Sequence, residues 1–275
     1  MRKLLFILFA VSFSFAGSSQ EYYPWGHQVL HLRSRLTPAG PLPERFHAYV
    51  GNEYLHESRL PLYALPRTLY KPFVMGFYFR DAGGLLSVDA AWDLVCHSEA
   101  NHPFKTTVGD VRFYSTLNLL QSGVRASARF GAKLPNAPNE YGPGTFALNA
   151  GLSGAGSDNT DFSFFVLLSC PLGPIWLDAN GGLILLDSPT GISQQLDAYD
   201  ASIGVRFVNG PLQARLETNR VFGPRRFDNY HDIVLKADCT FQRIFLGIKQ
   251  GFGLNGSTDD IQSGLYVGFK IPHRP

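Results

Sequence analysis

A chain of 275 residues that is 45% hydrophobic, 13% aromatic and 17% charged, with a formal net charge of +2, is too apolar to be disordered and has no basic excess for nucleic acid. Its charged fraction falls below the roughly 25% of an average soluble domain. Three cysteines without CxxC or Cys/His spacing exclude a disulfide scaffold, and 28 glycines point to a β-rich protein.

Residues 1–18 read as a secretory signal peptide. Arg2 and Lys3 form the basic start, Leu4 to Phe15 the apolar run, and Ser14-Phe15-Ala16 offers small residues at both positions a signal peptidase reads. That run of twelve is shorter than the roughly 20 residues of a spanning helix, and no later uncharged apolar stretch approaches 18. No cysteine follows it, so lipoprotein processing is not indicated. Residues 19–45 form an irregular segment with Tyr22, Tyr23, Pro24, Trp25, Pro38, Pro41 and Pro43. Its aromatics would be exposed unless covered, so the expectation is a periplasmic or lumen-inserted plug.

From there on the pattern has period two. In 124–134 the even positions are Val124, Ala126, Ala128, Phe130, Ala132 and Leu134, while Arg125, Ser127, Arg129, Gly131 and Lys133 take the odd ones. Val111, Phe113, Leu117 and Leu119 separate in the same way from Arg112, Tyr114, Thr116 and Asn118. So do Ile233, Leu235, Ala237, Cys239 and Phe241 from Asp232, Lys236, Asp238 and Thr240. A strand turns successive side chains to opposite faces, so each segment has one apolar and one polar face. Segments of this length exceed the 5–6 residues typical of soluble strands and suit a tilted membrane-spanning strand of about 9–11 residues.

The predicted strands are 46–54, 71–80, 84–96, 109–119, 122–134, 162–170, 174–186, 196–207, 211–219, 231–241, 243–250 and 263–271. Long connections (55–70, 97–108, 135–161, 187–195, 220–230, 251–262) alternate with short turns (81–83, 120–121, 171–173, 208–210, 242). An outer-membrane barrel has an even strand number, short periplasmic turns and longer outer loops. The expected fold is therefore all-β: a closed antiparallel transmembrane β-barrel of 12 strands over 46–275, becoming 14 if 28–34 and 145–153 also pair. A secreted soluble β-sandwich stays open at this point, because it would place the same polar faces in water.

The chain end carries a second pattern. Gln262-Ser263-Gly264-Leu265-Tyr266-Val267-Gly268-Phe269 looks like the terminal signal read by the barrel-assembly machinery, polar-x-Gly-x-x-hydrophobic-x-aromatic, through Gln262, Gly264, Val267 and Phe269. Between about 105 and 186 the order Val108-Gly109-Asp110-Val111, Phe130-Gly131-Ala132-Lys133-Leu134-Pro135, Gly154-Ala155-Gly156-Ser157-Asp158 and Asp178-Ala179-Asn180-Gly181-Gly182 resembles the bacterial outer-membrane barrels named for the MetA pathway of phenol degradation. Gly142-Pro143-Gly144 departs from that family's ordering, and Gly40-Pro41-Leu42 is more similar to a related uncharacterised outer-membrane family. The resemblance implies a barrel with a transport role for a small, hydrophobic or aromatic molecule, and no residue-level site.

No catalytic constellation emerges. Leu254-Asn255-Gly256-Ser257 lacks the His of a membrane-phospholipase element, and Asn-Gly is ordinary turn chemistry. His27 and His31, like His97 and His102, lack a third ligand, and Asp158, Asp161, Asp259 and Asp260 match no defined calcium loop, so neither metal nor cofactor is expected. Cys96, Cys170 and Cys239 fall on apolar parity in non-adjacent strands, which predicts three free thiols. The feature that bears on function is the ladder Arg125, Arg129 and Lys133, facing Asp89, Asp93, Asp178, Asp200, Asp232 and Asp238. Across a lumen these charges either set a transverse field, as in a channel constriction, or neutralise one another. Arg125, Arg129, Lys133, Asp89, Asp93 and Asp110 are the candidate lumen-lining residues. The expected function is passage of a small solute through an outer membrane, in contact with lipid and lipopolysaccharide. A non-transporting structural or surface barrel is the other membrane reading.

Overall fold

In the computed structural model the described residues are 36–40, 42, 44–57, 67–99, 105–109, 111–134, 160–186, 196–222, 230–255 and 261–272. Residues with alternating faces form strands throughout: β1 Glu44–Glu57, β2 Arg67–Arg80, β3 Leu86–Glu99, β4 Lys105–Val108, β5 Val111–Leu120, β6 Arg125–Leu134, β7 Asp161–Leu172, β8 Ile175–Leu186, β9 Leu196–Asn209, β10 Leu212–Phe222, β11 Tyr230–Phe241, β12 Ile244–Gly253 and β13 Ile261–Pro272. Every strand pairing is antiparallel, and β1 pairs with β13 from Glu44↔Pro272 to His56↔Ile261. That last pairing closes the sheet, so that every strand but the short β4 is paired on both sides among the described residues, as a membrane requires.

The thirteen strands make twelve staves. β4 and β5 both lie against β3, at Leu94↔Val108 to His97↔Lys105 and at Leu86↔Leu117 to Ala91↔Arg112. The predicted strand 109–119 is thus one stave broken around Gly109 and begun earlier, at Lys105. The segment 46–54 is a full strand of 14 residues, Glu44–Glu57. The segments 28–34 and 145–153, which would raise the count to fourteen, lie outside the described residues.

The short turns share one device. Gly84, Gly123, Gly173 and Gly210 have positive φ, and in the last turn Gln242 takes that role with a φ of 54°. At Gly173-Pro174 and Gly210-Pro211 the left-handed residue comes first, the order of a type II′ hairpin turn whose twist matches the strands it joins. The wall is irregular around Pro72. Pro72 has no N–H to give, and the ladders shift on both sides of it, between Gly51 and Glu53 on β1 and between Tyr70 and Phe73 within β2 against β3.

The two faces of the wall are inside out by soluble standards. Phe130, Tyr199, Ile203, Phe241, Ile248 and Leu265 point outward, each more than half exposed. Ser127, Arg129, Lys133, Asp178, Asp200, Glu217 and Asp232 are buried on the opposite parity. An apolar belt of this extent belongs in lipid, so a water-soluble sandwich is overturned. Cys170 and Cys239 lie on the outward parity as free thiols, whereas the Cys96 side chain lies outside the described residues.

Candidate functional site in the barrel lumen

Residues 36–40 and 42 run inside the barrel, in its short-turn half. Their backbone is tied to the wall by inward side chains. The Ala39 N–H donates to Ser169 Oγ at 2.8 Å, Gly40 N–H to Ser127 Oγ at 2.9 Å, and Leu42 N–H to the Tyr78 hydroxyl at 3.4 Å. Arg129 donates to the Thr37 hydroxyl and Arg215 to the Leu36 carbonyl. In the amide orientation that satisfies both ends, Asn180 accepts from the Thr37 N–H at 2.7 Å and donates to its carbonyl at 3.0 Å. Strands β2, β6, β7, β8 and β10 thus supply the donors and acceptors that an irregular backbone needs away from water. Gly40 has a φ of +89°, and a Cβ there would sit 2.7 Å from Arg125 Cδ.

The charged candidates divide. Arg129 pairs with Asp89 at 2.7 Å, reaching past β5 to β3, and its guanidinium lies 4.0 Å from the Tyr114 ring centroid. Arg125 meets no carboxylate among the described residues; its guanidinium stands 4.6 Å from the Trp176 ring, which Arg206 approaches at 4.8 Å. Lys133 is fully buried at the long-loop end of β6. The Asp93 side chain and Asp110 lie outside the described residues. The ladder on β6 therefore splits into a neutralised member, Arg129, and one left to face the lumen, Arg125.

Other ion pairs escape a reading of the sequence because they join distant segments. Arg206 binds Asp178 through Nε at 2.8 Å, and Ser169 donates to the same carboxylate at 2.6 Å. Lys236 meets Glu217 at 2.5 Å, with Arg215 at 3.8 Å, and Lys249 meets Glu53 at 3.6 Å. Toward the long-loop end Asp232 accepts from Asn219 and Gln262, both at 2.9 Å. There the lumen also holds an apolar cluster, Phe165, Leu167, Ile184, Ala198 and Val221, all fully buried. Its trace in the sequence is the near-continuous apolar run Phe162–Leu168, the mark of a strand covered on both faces.

Among the described residues, two cavities flank the inserted segment. The smaller, about 220 Å³, lies beside Thr37, Asp89, Tyr114 and Arg129. The larger, about 650 Å³, opens between Leu36, Pro38 and Leu42 on one side and β1, β12 and β13 on the other. His47, Tyr49, Phe245 and Tyr266 make an aromatic wall there, with Tyr49 and Phe245 edge-on to Tyr266 at 6.4 and 6.2 Å. Arg125, Trp176 and Arg206 form the facing wall, and Arg80 and Lys270 stand at the short-turn end. Acidic lining is confined to Glu53 and Asp238 among the described residues. The same residues contain no group of three His, Cys, Asp or Glu placed to hold a metal.

A closed, lipid-faced sheet of twelve staves around a polar lumen defines a transmembrane β-barrel of the outer-membrane kind. A COG4313 outer membrane channel from Pseudomonas putida F1 superposes on 86% of this chain and 100% of its own, with a TM-score of 0.70 at 12% identity. The transport unit of the autotransporter AIDA-I from Escherichia coli matches 91% of this chain and 99% of its own at a TM-score of 0.52 and 12% identity. The NanC porin matches 82% and 98% at a TM-score of 0.50 and 9% identity. These are likenesses of fold. The barrel that the resemblance of residues 105–186 implies is the barrel found. No family model matches the chain, and no curated protein sequence is similar to it.

Proposed function

We propose that the protein is an outer-membrane channel through which a small solute passes, and that residues 36–42 narrow its short-turn half as a plug. The short turns then face the periplasm and the long connections the outside. The observation that carries this reading is the 650 Å³ cavity lined by charged and aromatic side chains beside an inserted segment. A barrel serving only as a wall has no use for so polar an interior. Outer-membrane location is supported by the outward apolar belt and by the signal peptide read over residues 1–18. The pattern Gln262, Gly264, Val267 and Phe269 is the proposed contact with the assembly machinery; Gln262 faces inward, whereas Val267 and Phe269 face lipid. No catalytic role is assigned to any residue.

A second reading, a barrel that carries nothing, is favoured by the buried apolar cluster around Phe165 and Ile184. Planar-bilayer recording separates the two. The full chain is expected to give small or intermittent conductance, and deletion of 19–42 to raise it several-fold. Equal conductance with and without the segment removes the plug. Silence in both, from protein that still migrates as a folded barrel, removes the channel and leaves the second reading.

A further inference from the structure

The larger cavity is built from two unlike walls, and the cations around it are only partly used. Arg80 is 8% exposed, makes no hydrogen bond or ion pair among the described residues, and has its Nε buried without a partner. Arg125 rests on Trp176 and likewise meets no carboxylate among the described residues. Arg206, by contrast, is paired with Asp178. A buried guanidinium without a counter-charge is costly, and a planar anion that takes two parallel N–H donors relieves that cost best.

Across the cavity the Tyr49, Phe245 and Tyr266 rings lie along the wall. The inward residues opposite them are glycines: Gly76, Gly268 and Gly247 are their cross-strand partners. A Cβ at Gly247 or Gly268 would fall 2.1 or 2.2 Å from the partner ring. The rings therefore fold down onto the glycines, leaving open space in front of an aromatic wall.

We propose that this cavity binds an aromatic monocarboxylate, its ring against the Tyr49–Tyr266–Phe245 wall and its carboxylate on the Arg80 and Arg125 side. The proposal rests on the reading of the lumen as a passage and names the class of solute that passes. A neutral hydrocarbon would leave both guanidiniums unanswered, and a small aliphatic anion would leave the aromatic wall unused.

The test is equilibrium binding of sodium benzoate to the detergent-solubilised full chain by calorimetry, with benzyl alcohol and acetate as the neutral and ring-free probes. Benzoate is expected to bind at least about tenfold more tightly than either, the worth of a charged hydrogen bond or a ring contact. Arg80→Gln and Arg125→Gln should each weaken benzoate about tenfold and leave benzyl alcohol unchanged. Phe245→Leu, which removes a ring beneath Lys270 Nζ but no charge, should weaken benzoate and spare acetate. Each variant is first checked for the compact, heat-sensitive band of a folded barrel. Equal affinity for benzoate and benzyl alcohol, or no effect of Arg125→Gln in folded protein, overturns the site. Liposome swelling in benzoate reads passage separately: binding without flux keeps the site and removes the channel, whereas flux without binding removes the site and keeps the channel.

Discussion

Glu217 shows how much the lumen depends on single charges. Its carboxylate is 2% exposed, touches Lys236 Nζ at 2.5 Å and has Arg215 at 3.8 Å. Replacing it with Gln leaves two buried cations facing each other, and breaking a buried pair costs on the order of 3–5 kcal/mol. Glu217→Gln is therefore expected to lower the urea midpoint of the folded band by that equivalent. Adding Lys236→Met should recover a large part, because one uncompensated charge goes with it. A single variant as stable as the parent would mean that water in the lumen already screens the trio. That Glu217 faces inward follows from its parity with Arg215 and Asn219. The identity of its partner does not, since Lys236 lies nineteen positions away and is brought alongside only by the β10–β11 register. The same limit hid Arg129–Asp89 and Arg206–Asp178, in which each charge was legible and each pairing was not.

At the scale of elements, alternation was readable because lipid on one side and a polar lumen on the other impose period two along each stave. Glycine blurs that signal, since within a strand it reads as a break. Here inward glycines lie beneath the rings of aromatic residues directly opposite them, as at Tyr49↔Gly76, Tyr114↔Gly131, Phe165↔Gly182, Gly247↔Tyr266 and Phe245↔Gly268. Each ring covers the bare backbone of its partner and so repays the missing side chain. Gly247→Ala tests the device. Its Cβ would meet the Tyr266 ring at 2.1 Å, so the ring must lift, at about 1–3 kcal/mol by the usual cost of overpacking. In a Tyr266→Ala background the same substitution should cost little. If Gly247→Ala is equally damaging in both backgrounds, the glycine serves the backbone and not the ring. Such pairs cannot be found without the register, because Gly247 and Tyr266 are set opposite each other only by the pairing of β12 with β13.

For the molecule as a whole, the decisive contact is the one between its ends. The loop alternation predicts that first and last strands meet, but the meeting surface is nowhere local in the sequence; β1 and β13 become neighbours only because twelve staves exhaust the circle. Once they meet, every strand but the short β4 is paired on both sides among the described residues, and detergent cannot peel a stave off without opening the entire ladder. The expected consequence is heat-modifiability: unboiled protein should migrate as a compact, fast band and boiled protein as a slower one. Val50 makes the test specific to closure. It pairs with Val267 on one side and Met75 on the other, and its side chain is 41% exposed on the lipid face. Val50→Pro removes a donor at a position where neither neighbour is an edge, so the fast band should be lost or should convert at a much lower temperature. Val50→Ala keeps the donor and trims only lipid-facing surface, so its band should convert near the parent temperature. If Val50→Pro retained a parental band, the seam would have to lie elsewhere than between β1 and β13, and with it the enclosed lumen on which a channel depends.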